Sequence, residues 1–144
     1  MKTFQASATI EAAPEAVWAI LTDAAAYPQF DPNCERIEGA IKSGETIKAF
    51  TKLAPGRAFP VKVSEFVPAQ KMAWSSGMPF GLFKGERSFV LKAAAGGATE
   101  FTVKEVFSGP MMALIGGSIP DMTEPFRQFV AGLKQRAEAG QASA

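Results

Sequence analysis

The sequence contains no histidine among its 144 residues. Histidine is the usual base of Ser-His-Asp and Cys-His catalytic sites and a frequent metal ligand, so these classes of site are excluded. Glu35 and Glu38 have no nearby partners in the sequence that would complete a carboxylate cluster for an ion. We therefore expect neither a metal nor a cofactor.

Cysteine, long apolar runs and excess charge are also scarce. Cys34 is the only cysteine, which rules out a disulfide within the chain and favours a reducing compartment. The N-terminal MKTFQASATI lacks the apolar run of a signal peptide, and no run of about 18 apolar residues predicts a membrane-spanning helix. With a net charge of +1 and dispersed lysines and arginines, we expect a cytoplasmic protein that does not bind nucleic acid and has no integral membrane segment.

Phenylalanine, by contrast, is abundant. Hydrophobic residues make up 47% of the chain and charged residues 20%, a balance that predicts one globular domain over residues 1–144. There are twelve phenylalanines but one tyrosine and two tryptophans. This excess is typical either of an aromatic core or of a cavity lined by phenylalanine that holds a small apolar ligand.

The apolar spacing predicts strands around a small number of helices. Residues 3–11 alternate as a half-buried strand does, and Pro14 and Glu15 suit the first turn of a helix, which a short helical piece at about 24–29 follows. A last amphipathic helix carries Phe126 to Ala137 on its apolar face and ends at Gly140 and the polar tail. Between these helices the turn residues separate six predicted strands, near 34–41, 45–53, 58–67, 70–76, 82–94 and 98–108.

This order of elements predicts an α+β fold. Short connections between successive strands indicate an antiparallel meander, with the hairpin at Gly96-Gly97 as its clearest turn. The first strand is separated from the second by two helices, so we expect it to join the other end of the sheet. A curved, seven-stranded antiparallel sheet would then bury its concave face against the long C-terminal helix.

The chain resembles the START-like or helix-grip superfamily, in its bacterial polyketide cyclase/SRPBCC branch. The resemblance covers nearly the whole chain. Its carriers are the terminal helix and the segments IEAAPEAVWAILTDAAAYPQFDPN, GERSFVL and TEFTVKEVFSGPM. It implies the helix-grip fold and a cavity position for Arg87 and Glu105. The activity stays open, because relatives include cyclases, dehydratases, lipid and hormone carriers, and chaperone regulators.

Strand alternation places two opposite charges on the predicted concave face. Arg87 shares a face with Phe83 and Phe89, and Glu105 shares one with Phe101 and Phe107. With a loop of Ala95 to Gly97 the two charges lie directly opposite each other, and with a longer loop they lie diagonally. The pair is either a buried ion pair that fixes strand register, or an anchor in which Glu105 holds Arg87 for a ligand oxygen.

Three loops rich in glycine, proline and apolar residues are predicted to share one end of the sheet. They are 52–60, 75–83 and 109–122, and Met111 and Met112 in the last could repack around varied ligands. The segment 109–122 is therefore either a movable mouth of the cavity or a short helix that closes the core. Trp74 is predicted to face inward with Met72 and Ser76, where its indole N–H could bind a ligand or a backbone carbonyl.

The sequence thus favours binding of a hydrophobic small molecule, such as a lipid, aromatic or polyketide-like compound. One alternative is a cyclase or dehydratase in which Glu105 carries the proton beside Arg87, and another is an interaction with a protein partner, as in an assembly factor. A large empty cavity would favour a ligand or catalysis, and a filled core with an exposed apolar patch would favour a protein partner. The residues expected to contact a ligand are Trp74, Phe83, Arg87, Phe89, Phe101, Glu105, Phe107, Met111, Met112, Ile115, Phe126 and Phe129.

Overall fold

Alternating burial along the strands shows how the sequence builds the sheet. The computed structural model describes residues 1–142 apart from the side chains of residues 79, 118, 141 and 142. Every second residue of the first strand, from Lys2 to Ala8, is half-buried, and Ile10 at its end is fully buried. The strands are β1 (Lys2–Ile10), β2 (Cys34–Glu38), β3 (Thr46–Thr51), β4 (Ala58–Val67), β5 (Lys71–Gly77), β6 (Lys84–Ala93) and β7 (Thr99–Ser108).

The strands form a single antiparallel sheet in the order β1-β7-β6-β5-β4-β3-β2. β1 therefore pairs with the last strand, as predicted from the two helices that follow it. β6 and β7 are joined by a short turn at Ala95–Gly97, where Gly96 and Gly97 have φ of 73° and 77°. Left-handed φ values of this kind suit glycine, which explains the strength of this turn signal in the sequence.

The helices follow the first and the last strand and pack over the concave face of the sheet. They are α1 (Pro14–Leu21), α2 (Tyr27–Phe30), α3 (Met112–Ile115) and α4 (Thr123–Ala142), with a 3-10 turn at Ala24–Ala26 before α2. Pro14 lies in the first turn of α1 with Glu15 beside it, a sequence that suits the positive end of a helix. α4 buries Phe126, Phe129 and Leu133 against the sheet, which confirms the predicted α+β helix-grip arrangement.

Element ends differ from prediction at three places. β2 stops at Glu38 because Gly39 turns the chain with φ of 107°, and β3 is confined to Thr46–Thr51. The predicted end of α4 at Gly140 is wrong: the helix runs through Gly140 to Ala142, since Gly140 lacks the left-handed φ that ends many helices. The last two residues of the predicted polar tail lie outside the described residues.

α4 is tied to β1 by polar contacts as well as by packing. Lys134 Nζ donates to the carbonyl oxygen of Thr9 at 2.8 Å, and the backbone N–H of Glu11 donates to Glu138 Oε2 at 2.9 Å. At the other end of the sheet, Lys2 Nζ donates to the carbonyl of Gly116 at 3.0 Å. The helix and the first strand therefore hold each other in place at the edge of the sheet.

Candidate functional site at the open end of the sheet

Strand register places four side chains in one row across the concave face. Trp74 on β5 is the Cα partner of Arg87 on β6, Arg87 is the partner of Glu105 on β7, and Glu105 is the partner of Phe4 on β1. This row lies toward the end of the sheet that carries the loops 52–57 and 78–83 and the segment 109–122, called the open end below. The row therefore brings the predicted polar residues next to the predicted mouth.

Arg87 and Glu105 form a well-aligned ion pair. Arg87 Nε donates to Glu105 Oε1 at 3.0 Å and Nη2 lies 2.9 Å from the same oxygen, with side chains 26% and 12% exposed. The guanidinium carbon also lies 4.9 Å from the centroid of the Phe126 ring, so the charge rests on an aromatic face. In the part of the chain that the structure describes, Nη1 makes no hydrogen bond, so it can still donate to a ligand oxygen.

Gly85 makes room for this pair. A Cβ at this position would lie 3.2 Å from the Phe107 ring and 3.4 Å from Glu105 Oε2. The Phe107 ring occupies the space that a side chain at its register partner Gly85 would need. The glycine of the GERSF segment thus lets a ring and a carboxylate lie side by side on the concave face.

Trp74 carries an unsatisfied donor. Its side chain is buried, as predicted, and its ring lies 4.9 Å from Phe89 and 5.6 Å from Tyr27 between centroids. Among the described residues, its Nε1–H has no hydrogen-bond acceptor. A buried donor without a partner costs about 1–3 kcal/mol, so an oxygen from a water or a ligand stabilises this group. Ser76, predicted to face inward beside it, is exposed.

Asp31 is a site residue that the sequence analysis missed. Burial raises the pKa of its carboxyl, while the backbone N–H of Asn33 and the charge of Arg87 lower it in part. Burial also raises the pKa of the Tyr27 hydroxyl, which donates to the carbonyl of Leu21 at 2.6 Å. The sequence did contain one signal for this site. Asp31 is an acidic residue between a predicted helix and a predicted strand, and that strand begins at the end of the sheet where the mouth is predicted.

Cys34 follows at the start of β2. Burial, with Asp31 nearby, raises the pKa of its thiol from 9.0 to about 11. The thiol is therefore protonated at neutral pH and is a weak nucleophile. The charge of Arg87 acts on Tyr27, Asp31 and Cys34 alike, which places all three within its electrostatic reach.

Apart from Trp74, Arg87 and Glu105 in the polar row, the predicted ligand residues divide into two groups. Phe89, Phe101 and Phe129 form a packed aromatic core, with centroid separations of 6.0 and 6.2 Å from Phe129 to the other two, and Phe126 is buried beside Arg87. The others are half-buried at the open end, and they are Phe83, Phe107, Met111, Met112 and Ile115. The deep half of the concave face is thus filled by rings, and the open half is only partly covered.

The segment 109–122 combines a turn, α3 and a 3-10 turn at Gly116–Ser118. Its first part is fixed to the neighbouring loop, since Met111 N–H donates to the carbonyl of Leu82 at 2.9 Å. At the same end of the sheet, Phe83 and Phe107 stack at 6.0 Å with their planes 14° apart, and Phe4 meets Phe107 edge-on. The segment therefore begins next to a cluster of aromatic rings at the open end.

Two surface hollows among the described residues bear on the site. The larger, of 810 Å³, lies outside the concave face between α1, α2 and α4 and contains none of the predicted ligand residues; it is lined by Ala16, Ala19, Ile20, Gln29, Phe30, Gly132, Gln135, Arg136, Ala137, Ala139 and Gly140. The smaller, of 210 Å³, lies at the open end and includes Phe83, together with Ser75, Ser76, Gly77, Met78, Gly81 and Lys84.

No group of three or more His, Cys, Asp and Glu side chains that could hold a metal ion occurs among residues 1–142 as described. No helix within that range is long and apolar enough to cross a membrane.

Comparison with solved structures shows the same fold in several proteins. The Aha1 dimer from Colwellia psychrerythraea is 22% identical, with a TM-score of 0.71 over 97% of this chain and 98% of that one. A START superfamily protein from Mycobacterium smegmatis is 17% identical, with a TM-score of 0.67 over 95% and 97%. The di-domain ARO/CYC protein BexL from the BE-7585A biosynthetic pathway is 14% identical, with a TM-score of 0.70 over 96% of this chain and 47% of that one.

The family assignment comes from the sequence profile rather than from these structures, whose low identities show the fold alone. No curated protein sequence matches this chain. The profile described as polyketide cyclase/dehydrase and lipid transport matches residues 1–138. The chain therefore belongs to the polyketide cyclase/dehydrase and lipid transport family.

Proposed function

We propose that this protein binds a hydrophobic small molecule at the open end, with a polar oxygen of the ligand held by Trp74 and Arg87. The observation that carries this proposal is the buried Nε1–H of Trp74, which has no acceptor in the described chain and is the register partner of Arg87. Ligand sites are mostly apolar surfaces with a few placed polar groups, and this arrangement fits that description.

The apolar part of the site is supplied by the open end. Phe83, Phe107, Met111 and Met112 are half-buried there, so a ligand can gain burial by covering them. The 210 Å³ hollow is smaller than the few hundred Å³ typical of ligand sites. We therefore infer that a ligand of ordinary size binds only if the loops of the open end move apart.

A protein-interaction role is supported by the packed aromatic core and the exposed apolar loops of the open end. Small-molecule binding is favoured over it because a partner docking on the loops leaves Trp74, which is only 5% exposed, without an acceptor. A ligand that enters the open end supplies that acceptor.

The free Cys34 is consistent with the cytoplasm as the compartment that we propose.

Catalysis of a cyclisation or dehydration is the second candidate. It draws on Asp31, whose carboxyl has a raised pKa and lies within electrostatic reach of Arg87. A carboxyl with a raised pKa can donate a proton, whereas an arginine cannot. Glu105 is less suited to this role because its carboxylate is already paired with Arg87. Turnover that is lost in Asp31→Asn while ligand affinity is kept would establish this role.

Two tryptophan variants test the binding proposal. Native mass spectrometry of the protein from its source first identifies a co-purified ligand, and titration then measures its affinity. Trp74→Phe removes the N–H and should weaken binding about tenfold. Trp18→Phe is the matched control, because Trp18 packs on Phe66 at 5.1 Å, away from the polar row. Equal affinities of both variants and the unmodified protein would refute the proposed anchor.

A further inference from the structure

The exposed apolar side chains are confined to one end of the molecule. In the part of the chain that the structure describes, every exposed large hydrophobic side chain lies at the open end, and these are Met1, Leu53, Met78, Phe80, Leu82 and Leu114. Phe80 is 99% exposed and Leu114 is 78% exposed. Apolar residues scattered singly over a surface need no explanation, but their restriction to one end marks an interaction surface.

Two of the loops that carry these side chains are joined at their bases. Met78 N–H donates to the carbonyl of Phe83 at 2.8 Å, and Met111 N–H donates to the carbonyl of Leu82 at 2.9 Å. At Gly109, whose φ is 111°, a Cβ would lie 2.6 Å from the same Leu82 oxygen, so only glycine allows this approach. The loops 78–83 and 109–115 are therefore joined through their backbones, and their side chains project from this joined pair of loops.

Phe80 is the most exposed large hydrophobic residue of these two joined loops. Its φ of 61° is left-handed, a conformation that is rare for a bulky residue. The fold thus keeps a strained backbone at a position where the aromatic ring makes almost no contact with the rest of the chain. Neither the core nor the turn itself benefits from a phenylalanine there, which points to a partner outside the protein.

The charge pattern of the open end identifies the kind of partner. Residues 78–83 contain no charged side chain, the segment 109–122 contains only Asp121, near its end, and residues 52–57 contain Lys52 and Arg57 with no acidic residue. Both cations are exposed. The three loops therefore combine uncharged apolar tips with an excess of positive charge at the same end of the sheet, a combination that suits an apolar layer bordered by negative charge.

We propose that the open end docks on the surface of an anionic lipid bilayer. Phe80, Leu82 and Leu114 enter the boundary between headgroups and acyl chains, and Lys52 and Arg57 contact lipid phosphates. Separate side chains that protrude from short loops can each enter a fluid bilayer, whereas a protein partner needs a matching socket for every one of them. The docking does not depend on whether a ligand occupies the concave face.

Vesicle flotation tests this docking. The full chain is mixed with phosphatidylcholine vesicles, with and without phosphatidylserine, and the bound fraction is measured at low and high salt. We expect stronger binding to the phosphatidylserine vesicles that weakens with salt. Phe80→Ser combined with Leu114→Ser should lower the partition coefficient about tenfold or more. Lys52→Gln combined with Arg57→Gln should remove most of the phosphatidylserine and salt dependence.

Val106→Ser is the matched control, since Val106 lies on the convex face between Thr3 and Glu86 and should leave flotation unchanged. Circular dichroism confirms that each variant is folded. Absence of binding to both kinds of vesicle would overturn the proposal, as would binding that Phe80→Ser with Leu114→Ser leaves intact. A dimer in sedimentation velocity that the same double variant dissociates would instead make this surface an interface between copies of the chain.

Discussion

Arg87 and Glu105 are direct register partners on β6 and β7, and Arg87 Nε lies 3.0 Å from Glu105 Oε1. Direct opposition is one of the two registers that strand alternation allowed, and the short turn at Ala95–Gly97 selects it. Both side chains are largely withdrawn from water. If one partner of such a pair is removed, the other charge stays away from water without compensation and destabilises the fold.

Removal of the carboxylate should therefore destabilise the fold. Glu105→Ala leaves the Arg87 guanidinium largely buried without its partner, and we expect the free energy of unfolding to fall by about 1–4 kcal/mol. Urea denaturation measures this loss. Glu86→Ala is the control, because Glu86 pairs with Lys84 at 3.1 Å between more exposed side chains and should change stability by less than about 1 kcal/mol. Equal effects of the two variants would mean that the Arg87–Glu105 pair behaves as a surface pair.

α4 approaches α2 too closely for any side chain at Gly132. A Cβ there would lie 1.8 Å from the carbonyl oxygen of Phe30, whereas one at Gly140 would meet nothing within 4 Å. Gly132→Ala should lower the free energy of unfolding by about 2 kcal/mol or more. Gly140→Ala on the same helix should raise it by up to about 1 kcal/mol. Thermal or urea unfolding of both variants checks this contrast, and a stable Gly132→Ala protein would contradict the close approach.

The half-buried carboxyl of Asp31 should make stability depend on pH. Because burial raises its folded-state pKa above 3.8, the folded protein holds this proton more tightly than the unfolded chain, and stability falls as pH rises through the folded-state pKa. Asp31→Asn removes that cost, so the variant should be the more stable protein at neutral pH. Its advantage should shrink as pH falls toward 3.8. Unfolding measured across this range would contradict the interpretation if the difference between the proteins did not change with pH.

Hydrogen exchange tests the movable-mouth hypothesis for residues 109–122. Gly116 and Gly117 lower the cost of reorienting the backbone there, so its amides should exchange faster than those of β7 and become protected when a hydrophobic ligand binds. A Cβ at Gly117 would meet nothing within 4 Å and one at Gly116 only the end of Met112. Alanine at both positions should therefore slow ligand entry more than it lowers stability. Exchange as slow as in β7, unchanged by ligand, would show a fixed part of the core.

Most of the fold could be predicted because its signals are local. Alternation along β1, the proline and glutamate at the start of α1 and the glycines between β6 and β7 each act within a few residues. The end of α4 could not be predicted, since a glycine can end a helix or lie within it and its φ decides which. The inward position of Arg87 and Glu105 also followed from alternation, and the pairing from the length of one turn.

The remaining features of the site depend on distances that no local pattern encodes. The packed contacts of Phe129 with Phe89 and Phe101 show that a phenylalanine-rich face can fill itself instead of enclosing a void. Asp31 was overlooked because its burial arises from the packing of α2 and β2 beside Arg87 rather than from its neighbours in sequence. The unsatisfied Trp74 Nε1–H is likewise visible only once every possible acceptor has a position.

The pairing of β1 with β7 also dictates when the sheet can be completed. Lys2 is the register partner of Phe107, so the first strand must wait for nearly the whole chain before it finds its place. Contacts between residues so far apart in sequence form late and slow folding, whereas the hairpins from β3 to β7 need only short loops to close. During synthesis on the ribosome, β1 and its apolar face therefore stay unpaired until β7 has emerged, and the protein passes through a stage in which this edge of the sheet is open.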